Sequence, residues 1–149
     1  PLTEAGIAEA EEVSRSSRIT GSELIISSPY TRALQTAAIL AKNLNLPLKI
    51  EYDLHERLPD TTFSVTDFHT LLSLCGEWEA HGGDPAEVPG HLWESLPAIK
   101  SRVTGVLEHY RGLGEVIVVF HEMAIRSVVG IGDRIPHCGI RSITDADLL

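Results

Sequence analysis

Apolar residues recur at two different spacings along the chain and divide it into alternating helices and strands. Within residues 1–18, Ile7, Ala10 and Val13 fall on one helical face, Thr3 offers an N-cap oxygen and Glu4 an acidic first turn. Gly6 weakens that helix by about 1 kcal/mol relative to alanine. Glu23–Ser27 is a short apolar run between polar flanks and predicts a buried strand. A helix follows from Pro29 or Tyr30 to Leu44, with Ala33, Leu34, Ala37, Ala38, Ala41 and Leu44 inward. Asn45-Leu46-Pro47 ends it, and Leu48–Tyr52 predicts a second strand.

The second half repeats the alternation. Ser64–Ala80 predicts a helix; His81-Gly82-Gly83-Asp84-Pro85 and Val88-Pro89-Gly90 predict loop. A long helix spans Trp93–Tyr110. Glu115–Phe120 predicts the clearest strand, because Val116-Ile117-Val118-Val119 is β-branched throughout and too apolar for a half-exposed position. A helix over Met123–Val129 and a last strand over Gly139–Thr144 complete the pattern. Such alternation predicts an α/β sheet layered by helices.

Composition narrows the function classes. A chain of 149 residues suits one domain, over residues 1–149, and shows no internal repeat or low-complexity stretch. The net charge of -9 leaves no basic stripe, which argues against a nucleic-acid partner. An anionic substrate must then be met by a local positive pocket that overcomes the global field at short range. No apolar run approaches the roughly 20 residues that span a bilayer, and no secretory leader is visible. Cys75 and Cys138 read as small buried apolar residues in a reducing, cytoplasmic setting. Pro1 in place of methionine predicts that the native chain begins further upstream.

Three segments carry candidate chemistry. Arg32 falls in the first turn of the helix after the first strand, where its guanidinium could reach back over the strand end and grip a phosphate. The ordinary alternative is a solvated surface arginine, although a cation there opposes the helix dipole. His121 stands where a buried strand gives way to a helix and could donate to a phosphate oxygen; a capping histidine is an equal reading. Glu56, in Asp53-Leu54-His55-Glu56-Arg57, could act as a general acid, while a loop salt bridge with Arg57 is the simpler reading. His55, His69, His81, His91, His109 and His137 have no metal-ligand spacing and read as surface or loop residues.

In this order, Ser28-Pro29-x-x-Arg32-Ala33-x-Gln35-Thr36, Leu54-x-Glu56-Arg57 and a Val-rich strand ending in His121 resemble the histidine-phosphatase (phosphoglycerate-mutase-like) superfamily. Pro1-Leu2-Thr3-Glu4-Ala5-Gly6 resembles a Leu-Thr-x-x-Gly helix start of that family. The resemblance implies three layers, with a mostly parallel sheet flanked by helices on both faces. It implies a phosphatase acting through a phosphohistidine on a phosphorylated small molecule, with no metal or other cofactor. It makes Arg32 the second arginine of a phosphate pocket, Glu56 the proton donor and His121 the second, non-attacking histidine. It gives Arg57 a part in binding the substrate's carboxylate, and it sets Glu122 beside the pocket, among the substrate-binding residues. A homodimer is among the assemblies this leaves open.

The sequence also departs from the resemblance. It has no Arg-His-Gly triplet, so the nucleophilic histidine and the central first strand that carries it are expected upstream of Pro1. Glu122 stands where many members have glycine, and Leu58-Pro59-Asp60-Thr61 replaces the usual Gly-x-x-x-Glu-Gly. A phosphatase is therefore the first reading, and a catalytically inactive pseudo-phosphatase acting as a binding module the second. Loss of the central strand is expected to expose an edge on both of its neighbours. Ser64–Gly90 is the expected specificity insertion; Phe68, Leu72 and Trp78 read equally as a part-apolar lid or as helix core.

Overall fold

The computed structural model describes residues 1–130, 132 and 134–148, with the side chain of Leu148 left aside. The elements run in chain order α1 (Glu4–Val13), β1 (Leu24–Ser27), α2 (Thr31–Leu44), β2 (Leu48–Ile50), α3 (Phe68–Ala80), α4 (Leu96–Glu108), β3 (Val116–Val119) and α5 (Glu122–Val129). Short 3-10 turns stand at Ser17–Ile19, Tyr52–Leu54 and Asp145–Leu148. The described strands form one parallel sheet in the order β2-β1-β3. Ile25 pairs with Leu48 on one side and with Ile117 on the other.

The pleat sorts the strand residues onto two faces. Leu24 and Ile26, with Val116 and Val118, pack on one face against Leu54, Trp78 of α3, Ile99, Val103, Val106 and Leu107 of α4, and Ala124 of α5. Ile25, with Ile117 and Val119, packs on the other against Ala37 and Leu40 of α2 and Val13 of α1. Helices therefore cover both faces, which is why β1 can be buried at every position. The fold is α/β in three layers, as the alternation and the resemblance led one to expect.

Local chemistry sets the helix boundaries. Thr3 caps α1 by accepting from the Gly6 N–H, Asp67 caps α3 through Thr70, and Ser95 caps α4 through Ala98. These caps place the α3 and α4 starts later than the apolar pattern does, at Phe68 and Leu96. Leu40 is buried in α2, whereas Ala38 is exposed. Cys75 and Cys138 are free and only half-buried, not part of the core.

Two expectations fail. Gly139–Thr144 forms no strand: Cys138 turns the chain at φ 53°, and Arg18 reaches the segment with two hydrogen bonds. Its Nη1 donates to Ile140 O at 3.2 Å and its Nη2 to Ser142 Oγ at 3.3 Å. Nor do β1 and β3 flank a gap: β1 pairs directly with β3 from Leu24↔Val116 to Ser27↔Val119, and among the described residues the sheet ends at the outer sides of β2 and β3.

Candidate active site

Parallel strands all end on the same side, so β1 and β3 deliver their last residues to one place. Ser28 follows β1, His121 follows β3, and Ser28 N donates to Val119 O at 2.9 Å, which locks the two strand ends together. Ser28 is fully buried and His121 is 4% exposed. Ser28 Oγ lies 2.8 Å from His121 Nε2 and also accepts from the Tyr30 N–H at 3.2 Å. The Tyr30 ring meets the imidazole edge-on, with centroids 5.1 Å apart.

α2 and α5 start at this point and are the two α-helices whose N-cap residues, Tyr30 and His121, make no side-chain capping bond. Their first N–H groups are thus left without the side-chain cap that α1, α3 and α4 have. Arg32, in the first turn of α2, is exposed, with its guanidinium 5.6 Å from the Tyr30 ring centroid. Arg32, Glu56 and His121 line one cavity of about 730 Å³, which continues along the outer side of β3.

Charge and burial act differently on the two titrating groups. Burial pushes the His121 imidazole down to about 4, helped by the positive charges of Arg32, His55 and Arg102. The ring is therefore neutral at pH 7. Burial raises the Glu56 carboxyl above its ordinary value, against the Arg57 N–H bond and the guanidinium groups of Arg32, Arg57 and Arg102. A carboxyl that keeps its proton longer than usual, next to a cationic anion cradle, is suited to donating that proton.

Arg57 and Glu122 stand apart from this convergence. Arg57 makes no ion pair with Glu56; its backbone N–H donates to Glu56 Oε1 at 2.9 Å. Its guanidinium lies over the Trp78 ring at 4.6 Å, with a buried Nη1 that has no hydrogen-bond partner among the described residues. Glu122 borders the cavity, but its carboxylate accepts from the Ile135 N–H at 3.2 Å and pairs with Arg126 at 3.6 Å. Repulsion of an anion is reduced accordingly.

Sequence reasoning passed over five residues of this neighbourhood. Ser28 was part of a motif without a role, although a serine at the end of a buried strand must find a polar partner. Tyr30 stacks with His55, with centroids 6.5 Å apart, and His55 Nδ1 lies 2.7 Å from Glu56 O. His55 is thus part of the site's wall, not simply a loop histidine. Glu94 and Arg102 form an ion pair against the Glu56 loop. No spacing rule foretells that pairing, because the loop they hold lies dozens of residues earlier.

Comparison with solved structures places this geometry among relatives. The YhfR protein of Bacillus stearothermophilus superposes with a TM-score of 0.68 at 20% identity, over 87% of this chain and 65% of that one. A mycobacterial glucosyl-3-phosphoglycerate phosphatase in complex with inorganic phosphate gives 0.68 at 21% identity, over 86% and 67%. An alpha-ribazole phosphatase from Shigella flexneri gives 0.63 at 19%, over 93% and 75%. At these identities the likeness speaks for the fold, and the chain spans about two thirds of the first of these proteins. No curated protein sequence matches it. The sequence pattern of the histidine phosphatase superfamily (branch 1), by contrast, matches residues 1–143, nearly the whole chain. With that match added to the parallel sheet and to the uncapped helix starts around His121, the chain belongs to the histidine phosphatase superfamily, branch 1.

Proposed function

We propose that this chain is part of a phosphomonoester hydrolase that works through a phosphohistidine, with the attacking histidine outside residues 1–149. One observation carries the reading: Arg32, Glu56 and His121, from three distant parts of the chain, line one cavity. A guanidinium, an imidazole and unpaired helix N–H groups suit the oxygens of a phosphoryl group, and a carboxyl with a raised pKa suits its leaving oxygen.

In the first step the histidine nitrogen bonds to phosphorus as the ester P–O bond breaks. The leaving alkoxide takes the proton of Glu56. In the second, water attacks the phosphohistidine, gives its proton to the Glu56 carboxylate, and inorganic phosphate departs. Arg32 and His121 hold the oxygens through both steps. The substrate is a phosphorylated small molecule.

The second reading is a binding module without catalysis, favoured by Glu122, a carboxylate on the border of the cavity, and by Leu58-Pro59 in the loop after Glu56. The full-length protein separates the two. Expected are hydrolysis of a simple aryl phosphate, faster on the acid side of neutrality, and a trapped acid-labile phosphoenzyme. Phosphate binding without either activity would favour the module, and activity rising steadily above neutral pH would remove Glu56 as the acid.

A further inference from the structure

The Glu56 carboxylate has one hydrogen bond among the described residues, from the neighbouring Arg57 N–H. Its place in the cavity is therefore inherited from its backbone, and one ion pair holds that backbone. Arg102, on α4, sets Nε 2.6 Å from Glu94 Oε1 and Nη2 3.0 Å from Glu94 Oε2. Its Nη1 donates to the carbonyls of Asp53, at 2.5 Å, and His55, at 2.9 Å. Glu94 completes the grip from the other end: Oε2 accepts from Leu58 N at 3.2 Å, and its own N–H donates to Leu58 O at 2.9 Å. The two side chains are only 13% and 9% exposed.

We propose that the Glu94–Arg102 pair is a positioning device for Glu56, a clasp that grips the chain on both sides of the proton donor and fixes where its carboxyl stands relative to Arg32 and His121. The inference rests on the reading of Glu56 as proton donor. An apolar pair of similar volume would fill the same space with no loss of burial. What the charged pair adds is geometry: a rigid fork reaching one carboxylate and two carbonyls at once, which a single ammonium cannot reproduce. The 3-10 turn Tyr52–Leu54, against which α4 packs, supplies the carbonyl end.

The test uses a reversal of sign. The charged groups facing Glu56 are Arg32 on α2, Arg57 beside it and Arg102 on α4, with His55 and His121 nearby. Removing the Arg102 charge alone would raise the Glu56 pKa further, whereas releasing the loop into water would lower it. Carbon-13 NMR titration of the Glu56 carboxyl is therefore expected to shift down, toward the ordinary glutamate range, in Arg102→Lys, which keeps the charge, and in Arg102→Gln. Arg102→Met, which also removes the charge and so would by that alone raise the Glu56 pKa, is the substitute if Arg102→Gln does not fold. A folded variant that melts lower with Glu56 titrating as in wild type, or higher, would overturn the proposal and leave a purely structural pair. In full-length protein that turns over an aryl phosphate, Arg102→Lys is expected to lower kcat on the order of tenfold with KM nearly unchanged. If wild type shows no turnover, the catalytic reading fails, while the titration still decides the clasp.

Discussion

Ser28 and His121 come from opposite halves of the chain, and the bond between them sets the character of the site. Ser28→Ala leaves a buried ring nitrogen without its partner, and denaturant unfolding is expected to show a loss of about 1–3 kcal/mol. Arg32 lowers the His121 pKa, so Arg32→Ala is expected to raise the nitrogen-15 titration midpoint of His121 above about 4 in the empty protein. Inorganic phosphate should raise the midpoint in wild type, since a dianion favours the imidazolium, and should do much less in Arg32→Ala. A midpoint indifferent to Arg32 would separate the two residues. Arg32, Glu56 and His121 were legible in the sequence because each stands just after a strand, where an α/β sheet collects its ligands. Ser28, His55 and Arg102 were not, because their partners become neighbours only once β1 and β3 pair. Arg57 shows the opposite error: its sequence neighbour Glu56 suggested an ion pair, but the ring of Trp78 lies under its guanidinium.

Among the elements, β1 and the long helices were legible because burial on both faces leaves a continuous apolar run and burial on one leaves a 3.6-residue stripe. β3, expected from its run of β-branched residues to be fully covered, is instead half-buried at every position because it lies at an edge of the described sheet. Boundaries were less so, because caps decide them and several oxygens compete for each helix start. The strand expected at Gly139–Thr144 has only Ile140 and Ile143 as large apolar residues, and strands need a ladder partner, whereas here the Ile140 carbonyl is taken by the Arg18 guanidinium. The connection between α3 and α4 offers a sharp element-level test. Gly83 has φ +73°, its N–H donates to Trp78 O at 2.9 Å, and its carbonyl accepts from Leu96 N at 3.0 Å. A Cβ there would stand 2.5 Å from the buried Trp78 ring, in a backbone conformation that costs an L-residue about 1–2 kcal/mol by itself. Adding the cost of overpacking, Gly83→Ala is expected to destabilise by about 2–4 kcal/mol in chemical denaturation. Gly82→Ala, with nothing within 4 Å of its Cβ, should cost only the backbone share.

For the molecule as a whole, the same burial that shapes the site sets how stability responds to acid. The unfolded chain protonates His121 near 6.5, whereas the folded one does so only near 4. Between those values the unfolded state binds the extra proton, so stability falls as the pH drops through that window, by roughly 3 kcal/mol at most. Glu56 acts in the other direction: its raised pKa lets the fold take up a proton before the unfolded chain does, which offsets part of the loss just above the ordinary glutamate range. Asp60 then adds a second stage. Thr62, Ser64 and Val65 donate to its carboxylate and hold it down to about 2, so its contribution is present above about 3.8 and is lost as the pH falls through 2. Relief of the -9 net charge on acidification would favour the fold, but it is spread over the surface and largely screened at about 0.15 M salt. Urea midpoints measured from pH 7 to pH 2 in such salt should therefore fall in two stages. His121→Gln, which can still hydrogen-bond Ser28, should flatten the upper stage and leave the lower one in place. An unchanged slope between pH 6.5 and 4 in that variant would mean that the imidazole carries no unusual burial, and the neutral histidine at the centre of the site would go with it.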